Sequence, residues 1–295
     1  MKLSIMTQLE FELDFSTSEK QLAKYILEHG EKVLQYSIQD LAKKTYTSPA
    51  TIVRLCKKIG LHGYSDFKIK YSAELQFDST TKRRVDVNFP FTHMDDNRQI
   101  AYKIASLQQE AIDDTLKLID FQQMNMIVEQ ISQAKNIHIF GTGNSILAGL
   151  SFQHKMMRIG QLVELKSIPG EQTFMPYTMD SKDVAIMISY SGETAEVINI
   201  AKVLKNKKIP MIGITSLGDN QLSKFCDYVL NTGSREKIFS KIAPFSSTTS
   251  IEYILNVLYS CIFSLEYSAH INKKIHYDKI HDHRHPFNSP ITDEG

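Results

Sequence analysis

Hydrophobic and polar positions follow two different periods along the chain. In the front part, residues 16–19 (STSE) have the spacing of a capping box, and Leu22, Tyr25 and Ile26 follow at helical spacing. Further on, short apolar runs such as residues 183–189 (DVAIMIS) end in Gly and hydroxyl residues, as is typical of strands buried on both faces. The pattern predicts an all-α front domain followed by an α/β domain.

Two short helices joined by a tight turn are predicted in the front domain. Ser37 begins one, while Ser48 followed by Pro49 begins the next, which ends at Gly60. This is the outline of a helix-turn-helix, whose second helix enters the major groove of DNA. The alternative is a three-helix bundle with a solvated basic face. The outward positions that can bond base edges and phosphates are Ser48, Ala50, Thr51, Arg54, Lys57 and Lys58.

Residues 37–71 also resemble the N-terminal domain of RpiR-type bacterial transcriptional regulators. That family carries Ser-x-Ala-Thr-x-x-Arg-Leu-x-Lys-Lys-x-Gly and then Gly-aromatic-x-x-Phe-Lys. The matching residues are Ser48, Ala50, Thr51, Arg54, Leu55, Lys57, Lys58, Gly60, Gly63, Tyr64, Phe67 and Lys68. The resemblance implies sequence-specific binding to double-stranded operator DNA by a homodimer or homotetramer.

Residues 78–99 carry scattered charges, one Pro and no sustained period, which is typical of an interdomain linker. Lys82, Arg83 and Arg84 either contact the DNA backbone or stay solvated. A helix capped at Ser65 is predicted before the linker, and helices over 100–118 and 121–134 after it. We therefore expect a helix-turn-helix domain (1–78), a linker with a connecting helix (79–119), an α/β domain (120–268) and a polar tail (269–295).

In the α/β domain, two predicted strands run into turns rich in Gly and hydroxyl residues, at 141–145 (GTGNS) and 189–194 (SYSGET). A strand that turns through Gly into a helix directs free backbone N–H groups and a positive dipole end at one spot, which suits a phosphate monoester. Simple helix N-caps are the alternative. Alternating strands and helices predict a doubly wound parallel sheet, where ligands bind beyond the C-terminal strand ends.

The order of GTGNS, SYSGET and then GITS (213–216) resembles a sugar isomerase (SIS) domain over residues 121–267. The resemblance implies phosphosugar binding, with the SxSGxT turn as the phosphate cradle. The residues it implies for the ligand are Gly143, Asn144, Ser145, Ser189, Ser191, Gly192 and Thr194. Family members often carry an Arg where this chain has 245–250 (FSSTTS), before a predicted apolar helix over 251–265, so the contacts to the sugar stay unassigned.

Charge and composition narrow the function further. The formal net charge is +1, yet residues 1–84 hold 14 basic and 10 acidic residues, so a polyanionic partner suits only the front domain.

No apolar run approaches the ~20 residues that span a bilayer, so no membrane partner is expected. Three scattered cysteines fit a reducing cytoplasm. No cofactor or metal is expected: GTGNS lacks the third Gly of a dinucleotide motif, and the histidines of the tail lack metal-ligand spacing.

We therefore expect a cytoplasmic, non-enzymatic regulator of carbohydrate metabolism, in which a phosphorylated sugar changes the placement of DNA-binding domains. One alternative is a phosphosugar isomerase or lyase that uses the same pocket. Such an enzyme needs a general base, for which Glu196, Glu252 and His154 are the candidates. Another alternative is a DNA-binding protein whose SIS fold serves only to oligomerise.

Overall fold

A computed structural model describes residues 4–12, 14–80, 85–168 and 170–281. Its front part is a helical bundle around one apolar core, which includes Leu22, Leu41, Leu55, Phe67 and Tyr71. A 3-10 helix, Gly30–Gln35, connects the second helix to the third. The helices are α1 (Ile5–Phe11), α2 (Thr17–His29), α3 (Ile38–Lys44), α4 (Pro49–Lys58) and α5 (Tyr64–Thr80).

Local capping explains where these helices begin and end. Ser16 and Glu19 form the predicted capping box of α2, and Gly30 ends that helix with a φ of +49°. Ser37 caps α3 together with Asp40 at the third helical position. The prediction that Ser65 caps the next helix is wrong, because α5 already begins at Tyr64. α1 had no sequence-based prediction.

The described part of the linker packs against the α/β domain. The backbone N–H of Ile242 donates to the Asn88 carbonyl at 2.9 Å, and the Lys237 N–H donates to the Asn88 side chain at 2.7 Å. The ring of Phe91 contacts the ring of Phe245. Asn88 and Phe91 of the linker therefore contact the loop before α12 and the first residue of α12. Lys82, Arg83 and Arg84 lie outside the described residues.

Five parallel strands form the sheet of the back domain, in the order β2-β1-β3-β4-β5. The strands are β1 (Ile137–Gly141), β2 (Val163–Leu165), β3 (Val184–Ile188), β4 (Met211–Ser216) and β5 (Tyr228–Thr232). The helices are α6 (Asn97–Leu118), α7 (Phe121–Gln133), α8 (Asn144–Arg158), α9 (Met175–Thr178), α10 (Ala195–Asn206), α11 (Gln221–Phe225), α12 (Phe245–Leu265) and α13 (Tyr267–His281). The predicted doubly wound α/β fold is confirmed.

Alternate residues of the central strands face two different apolar layers. On β3, Ile186 and Ile188 pack with α7, α8 and α12, whereas Ala185 and Met187 pack with α9, α10 and α11. Every residue of β1 and β3 is buried. Helices on both faces therefore explain why these strands are continuous apolar runs.

The C-terminal part departs from the sequence-based expectation. α12 begins at Phe245, six residues before the predicted start, and a further helix, α13, forms where only a polar tail was expected. No helix within the described ranges combines the length and the hydropathy needed to cross a bilayer. All three cysteines are free thiols, and burial raises the pKa of Cys56 and Cys226 to about 12.

Candidate functional site

The strand order places a topological switch point between β1 and β3. After β1 the chain passes to β2 on one side, and after β2 it crosses to β3 on the other side. Gly141 pairs with Ile188, so β1 and β3 end at the same level. The turns at 141–145 and 189–194 therefore lie side by side, where open α/β sheets bind their ligands.

The turn after β3 is held by its own hydroxyls. Ser189 is buried, and its Oγ lies 2.9 Å from the Thr194 Oγ1. Thr194 occupies the N-cap position of α10, but its hydroxyl does not bond the helix backbone. The simple N-cap interpretation is therefore wrong for this turn. The first N–H groups of α10 have no side-chain cap, which is the arrangement that favours an anion.

The turn after β1 has a similar construction. Gly143 holds the N-cap position of α8 with a φ of +55°, and it has no side chain to cap the helix. β2 does not extend as far as Gly141, and the buried side chain of Gln172 bonds the Gly141 backbone there. It accepts from the Gly141 N–H at 3.0 Å and donates to the Gly141 carbonyl at 2.9 Å. This long-range contact fixes the end of β1 and therefore the start of the turn.

A cavity of about 240 Å³ lies between the two turns. Five of the predicted ligand residues line it together: Asn144, Ser145, Ser189, Ser191 and Thr194. Gly143 and Gly192 shape the backbone of the turns and are not among the lining residues. The remaining lining residues are Thr142, Tyr190, Ile238, Lys241, Pro244, Ser247, Thr248 and Ile251.

Lys241 is the charged lining residue that sequence reasoning missed. It lies on the loop between β5 and α12, its Nζ is 3.1 Å from the Glu236 carboxylate, and it stacks over the Tyr190 ring at 5.3 Å. The Tyr190 hydroxyl donates to the Ser234 and Glu236 carbonyls, and burial raises the pKa of Tyr190 to about 12. Because these contacts join residues far apart in the sequence, no local motif reveals them.

None of the three general-base candidates lines this cavity. Glu252 and His154 are exposed, and Glu196 is half-buried on the first turn of α10. The nearby buried carboxylate, Glu236, accepts hydrogen bonds from the backbone of Ser246 and Ser247. Within the described residues, the cavity lining therefore contains no carboxylate or imidazole.

In the front domain, α3 and α4 are joined by a four-residue turn, as a helix-turn-helix requires. Ser48 caps α4, and its Oγ accepts from the Thr51 N–H at 3.1 Å. Thr51 was expected to point outward; this is wrong, since its side chain packs under the cap with 8% exposed. Ala50 and Lys57 are exposed, and Tyr46, which sequence reasoning did not select, is 97% exposed in the turn.

Arg54 and Lys58 lie one helical turn apart on α4, and both contact Glu19 of α2. The Arg54 Nε donates to Glu19 Oε1 at 2.7 Å, and the Lys58 Nζ donates to Oε2 at 2.8 Å. The Arg54 side chain nevertheless remains 57% exposed. The Lys58 Nζ also donates to the Asp14 carbonyl at 2.5 Å. Both cations are therefore held in place by contacts on one side rather than freely moving side chains.

Two family profiles match the chain. The helix-turn-helix domain of the rpiR family matches residues 4–78, and the SIS domain matches residues 130–260. An uncharacterized HTH-type transcriptional regulator of Clostridium perfringens is 30% identical over 92% of this chain and 97% of its own length. Another, from Haemophilus influenzae, is 30% identical over 83% of this chain and 84% of its own length.

One similar solved structure is the NanR protein of Vibrio vulnificus, determined in complex with ManNAc-6P. It covers 93% of this chain and 97% of its own, with a TM-score of 0.58 and 26% identity. Both domains thus recur in the same order in relatives that match almost the whole chain. The chain belongs to the rpiR family of helix-turn-helix transcriptional regulators with a SIS domain.

Proposed function

We propose that this protein is a cytoplasmic regulator of carbohydrate metabolism that binds operator DNA through α4 and senses a phosphorylated sugar in the cavity between β1 and β3. The observation that carries the proposal is the convergence of four hydroxyl side chains, from Ser145, Ser189, Ser191 and Thr194, on one cavity at two uncapped helix N-termini. Hydroxyls and the uncapped N–H groups at the start of α10 are donors, and the oxygens of a phosphate monoester are acceptors for them.

Lys241 supplies the positive charge that the two turns lack. A charge-assisted hydrogen bond to a phosphate is stronger than a neutral one. Lys241 is held in the lining by Glu236 and Tyr190. The ManNAc-6P complex of the similar NanR makes a phosphorylated amino sugar the first ligand to test.

DNA binding follows from the exposed face of α4. In helix-turn-helix proteins, this second helix lies in the major groove, and two copies read half-sites about one DNA turn apart. We therefore propose that the chain acts as a homodimer or homotetramer, with Ser48, Ala50, Arg54, Lys57 and Lys58 at the DNA. Thr51 contributes through the cap of α4 rather than by direct contact.

The isomerase or lyase alternative is disfavoured. Proton abstraction from a sugar needs a base within hydrogen-bond reach. The described lining of this cavity holds no carboxylate or imidazole, and its one lysine, Lys241, is paired with Glu236. The relatives that match nearly the full length are named as transcriptional regulators. Both observations support a cavity that binds its ligand without converting it.

A thermal-shift panel of sugar phosphates, with ManNAc-6P first, tests the sensing role. A ligand at a hundred times its Kd adds about 2.7 kcal/mol to the free energy of unfolding, which raises the Tm by several degrees. We expect the shift to disappear in the double variant Ser189→Ala, Ser191→Ala and to persist in Ser151→Ala, an exposed serine of α8. A shift retained in the double variant would place the ligand elsewhere.

A further inference from the structure

One carboxylate in the DNA-binding domain is fully buried and charged. The Glu19 side chain has 0% exposure, and it lies at the third position of α2. Burial by itself raises the pKa of a carboxyl group, but hydrogen bonds from Lys58, Arg54 and Ser16 outweigh this and hold the pKa of Glu19 at about 2. Glu19 is therefore ionised at neutral pH beneath the exposed face of α4.

Glu19 binds Arg54 through one of its three guanidinium nitrogens. Only the Arg54 Nε donates to Glu19, and among the described residues neither terminal nitrogen has a hydrogen-bond partner. The two terminal nitrogens are a suitable pair for a bidentate contact with the O6 and N7 of guanine. An arginine held at Nε has already lost much of the rotamer freedom that a free arginine would lose on binding.

We propose that Glu19 is a positioning residue for sequence recognition: it anchors Arg54 through Nε so that the terminal nitrogens read a base pair of the operator. The inference rests on the proposed DNA-binding role of α4. Lys58, on the second oxygen of Glu19, is aligned one turn further along the helix and contributes a contact to a phosphate.

Glu19 also has a purely structural alternative, because it closes the capping box with the Ser16 N–H at 2.7 Å and ties α2 to α4. A brace of this kind affects stability and affinity for every DNA sequence alike. If Glu19 positions Arg54, a Glu19 variant should instead lose sequence preference only at particular base pairs. These should be the same base pairs at which an Arg54 variant loses its preference.

The experiment begins with the full chain and a pool of DNA duplexes with a randomised core, from which the bound sequences are enriched. Affinities are then measured for the enriched duplex and for its single base-pair variants, with Glu19→Gln, Arg54→Ala and the double variant. Glu28→Gln is the matched control, since Glu28 is an exposed glutamate on the same helix. Thermal unfolding of each variant is measured in parallel.

We expect Arg54→Ala to lose about tenfold or more of discrimination at its base pairs. Glu19→Gln should lose about three- to tenfold at the same base pairs and keep the rest of the preference. The double variant should be no worse than Arg54→Ala, because the two residues act as one unit. Glu28→Gln should behave as the unaltered chain does.

A second variant keeps the test decisive if Glu19→Gln is unstable. Asp40 shows that an aspartate at the third position completes a capping box in this domain, so Glu19→Asp preserves the cap and the charge while withdrawing the carboxylate from Arg54. It should retain stability and lose part of the preference. Unchanged discrimination in a folded Glu19 variant, or an equal loss for all sequences, would overturn the inference. If the unaltered chain enriches no sequence, DNA recognition itself fails.

Discussion

At the scale of single residues, Glu236 occupies one of the helix N-termini beside the cavity. Its carboxylate accepts from the backbone N–H groups of Ser246 and Ser247, so it neutralises the N-terminus of α12. Without it, α12 would present a third positive helix end beside the cavity. With it, the turns after β1 and β3 are the positive helix ends left for the proposed phosphate, and Lys241, paired with Glu236, adds a cation to the lining.

His138 is a buried histidine from which we expect a pH dependence of stability in the α/β domain. The side chain is buried in β1, and neither ring nitrogen has a hydrogen-bond partner among the described residues. Burial lowers the pKa of His138 below its ordinary value of 6.5, and Asp183, 3.8 Å away, opposes this only in part. The unfolded chain therefore takes up a proton first as the pH falls through 6.5, and the free energy of unfolding decreases.

We expect the Tm of the unaltered protein to fall between about pH 7.5 and pH 5.5, the range in which histidine titrates. His138→Met removes the buried imidazole, so the decrease in Tm that His138 causes should disappear. His154→Asn, at an exposed position of α8, should leave that decrease unchanged. Scanning calorimetry at the two pH values measures both. The same fall in His138→Met as in the unaltered chain would contradict the argument.

Some residues of the candidate site are placed by their neighbours in the sequence, and others by contacts with residues far along the chain. Ser189, Ser191 and Thr194 were predictable because a buried strand, a Gly and a helix follow one another within a single stretch. Lys241 was not, since it reaches the cavity from another loop across the sheet. The burial of Thr51 was missed because helical periodicity does not show that the Ser48 cap folds over it.

At the scale of elements, the junction from β3 to α10 depends on Gly192. Its φ is +67°, and a Cβ at this position would lie 2.1 Å from the Asn220 side chain. Asn220 caps α11, and the Leu222 N–H donates to the Gly192 carbonyl at 3.0 Å. The turn that forms the proposed phosphate cradle is thus fitted closely against the start of the next helix.

Gly192→Ala is expected to destabilise the protein by about 1–3 kcal/mol for the backbone conformation, with a similar amount for the overlap with Asn220. The stabilisation by sugar phosphates should be lost with it, because the hydroxyls of the turn are displaced. Gly63→Ala is the control, since a Cβ there meets nothing within 4 Å. Chemical denaturation measures both variants; equal stability for the two would contradict this account of the turn.

The bounds of elements were predictable where the cause is local. Ser16 and Ser37 located the starts of α2 and α3, and the apolar run at 183–189 located β3 to within one residue at each end. The start of α12 was missed because Pro244 cannot cap by a side chain and Glu236, eight residues earlier, does so instead. α13 was missed because its sequence has no sustained apolar period, and packing against α8 and α12 supports it.

At the scale of the whole molecule, one loop connects the proposed cradle to the DNA-binding domain. Arg235 contacts Glu10 of α1 and Glu110 of α6. The neighbouring residues Ser234 and Glu236 accept from the Tyr190 hydroxyl, which belongs to the 189–194 turn. Three consecutive residues of the loop therefore join the turn to α1 by direct contacts.

Arg235→Ala should separate the two binding functions. The sugar phosphate and the DNA should each still bind, but the change in DNA affinity that the sugar phosphate causes should shrink, because the connection to α1 is lost. Arg158→Ala is the matched control, since Arg158 of α8 pairs with Asp278 of α13, within the α/β part of the chain. Titrations of DNA with and without ligand measure the difference; an undiminished ligand effect in Arg235→Ala would exclude this route.

The central claim is that occupation of the cavity changes DNA binding. The most direct test uses a fluorescent DNA duplex whose sequence was enriched from the randomised pool. The duplex is titrated with the full chain, and its fluorescence anisotropy is measured with and without the sugar phosphate that stabilises the protein most. We predict a change in affinity of about fivefold or more, the usual scale of allosteric coupling, and none in the Ser189→Ala, Ser191→Ala variant. The same DNA affinity at a saturating concentration of that sugar phosphate would contradict the account.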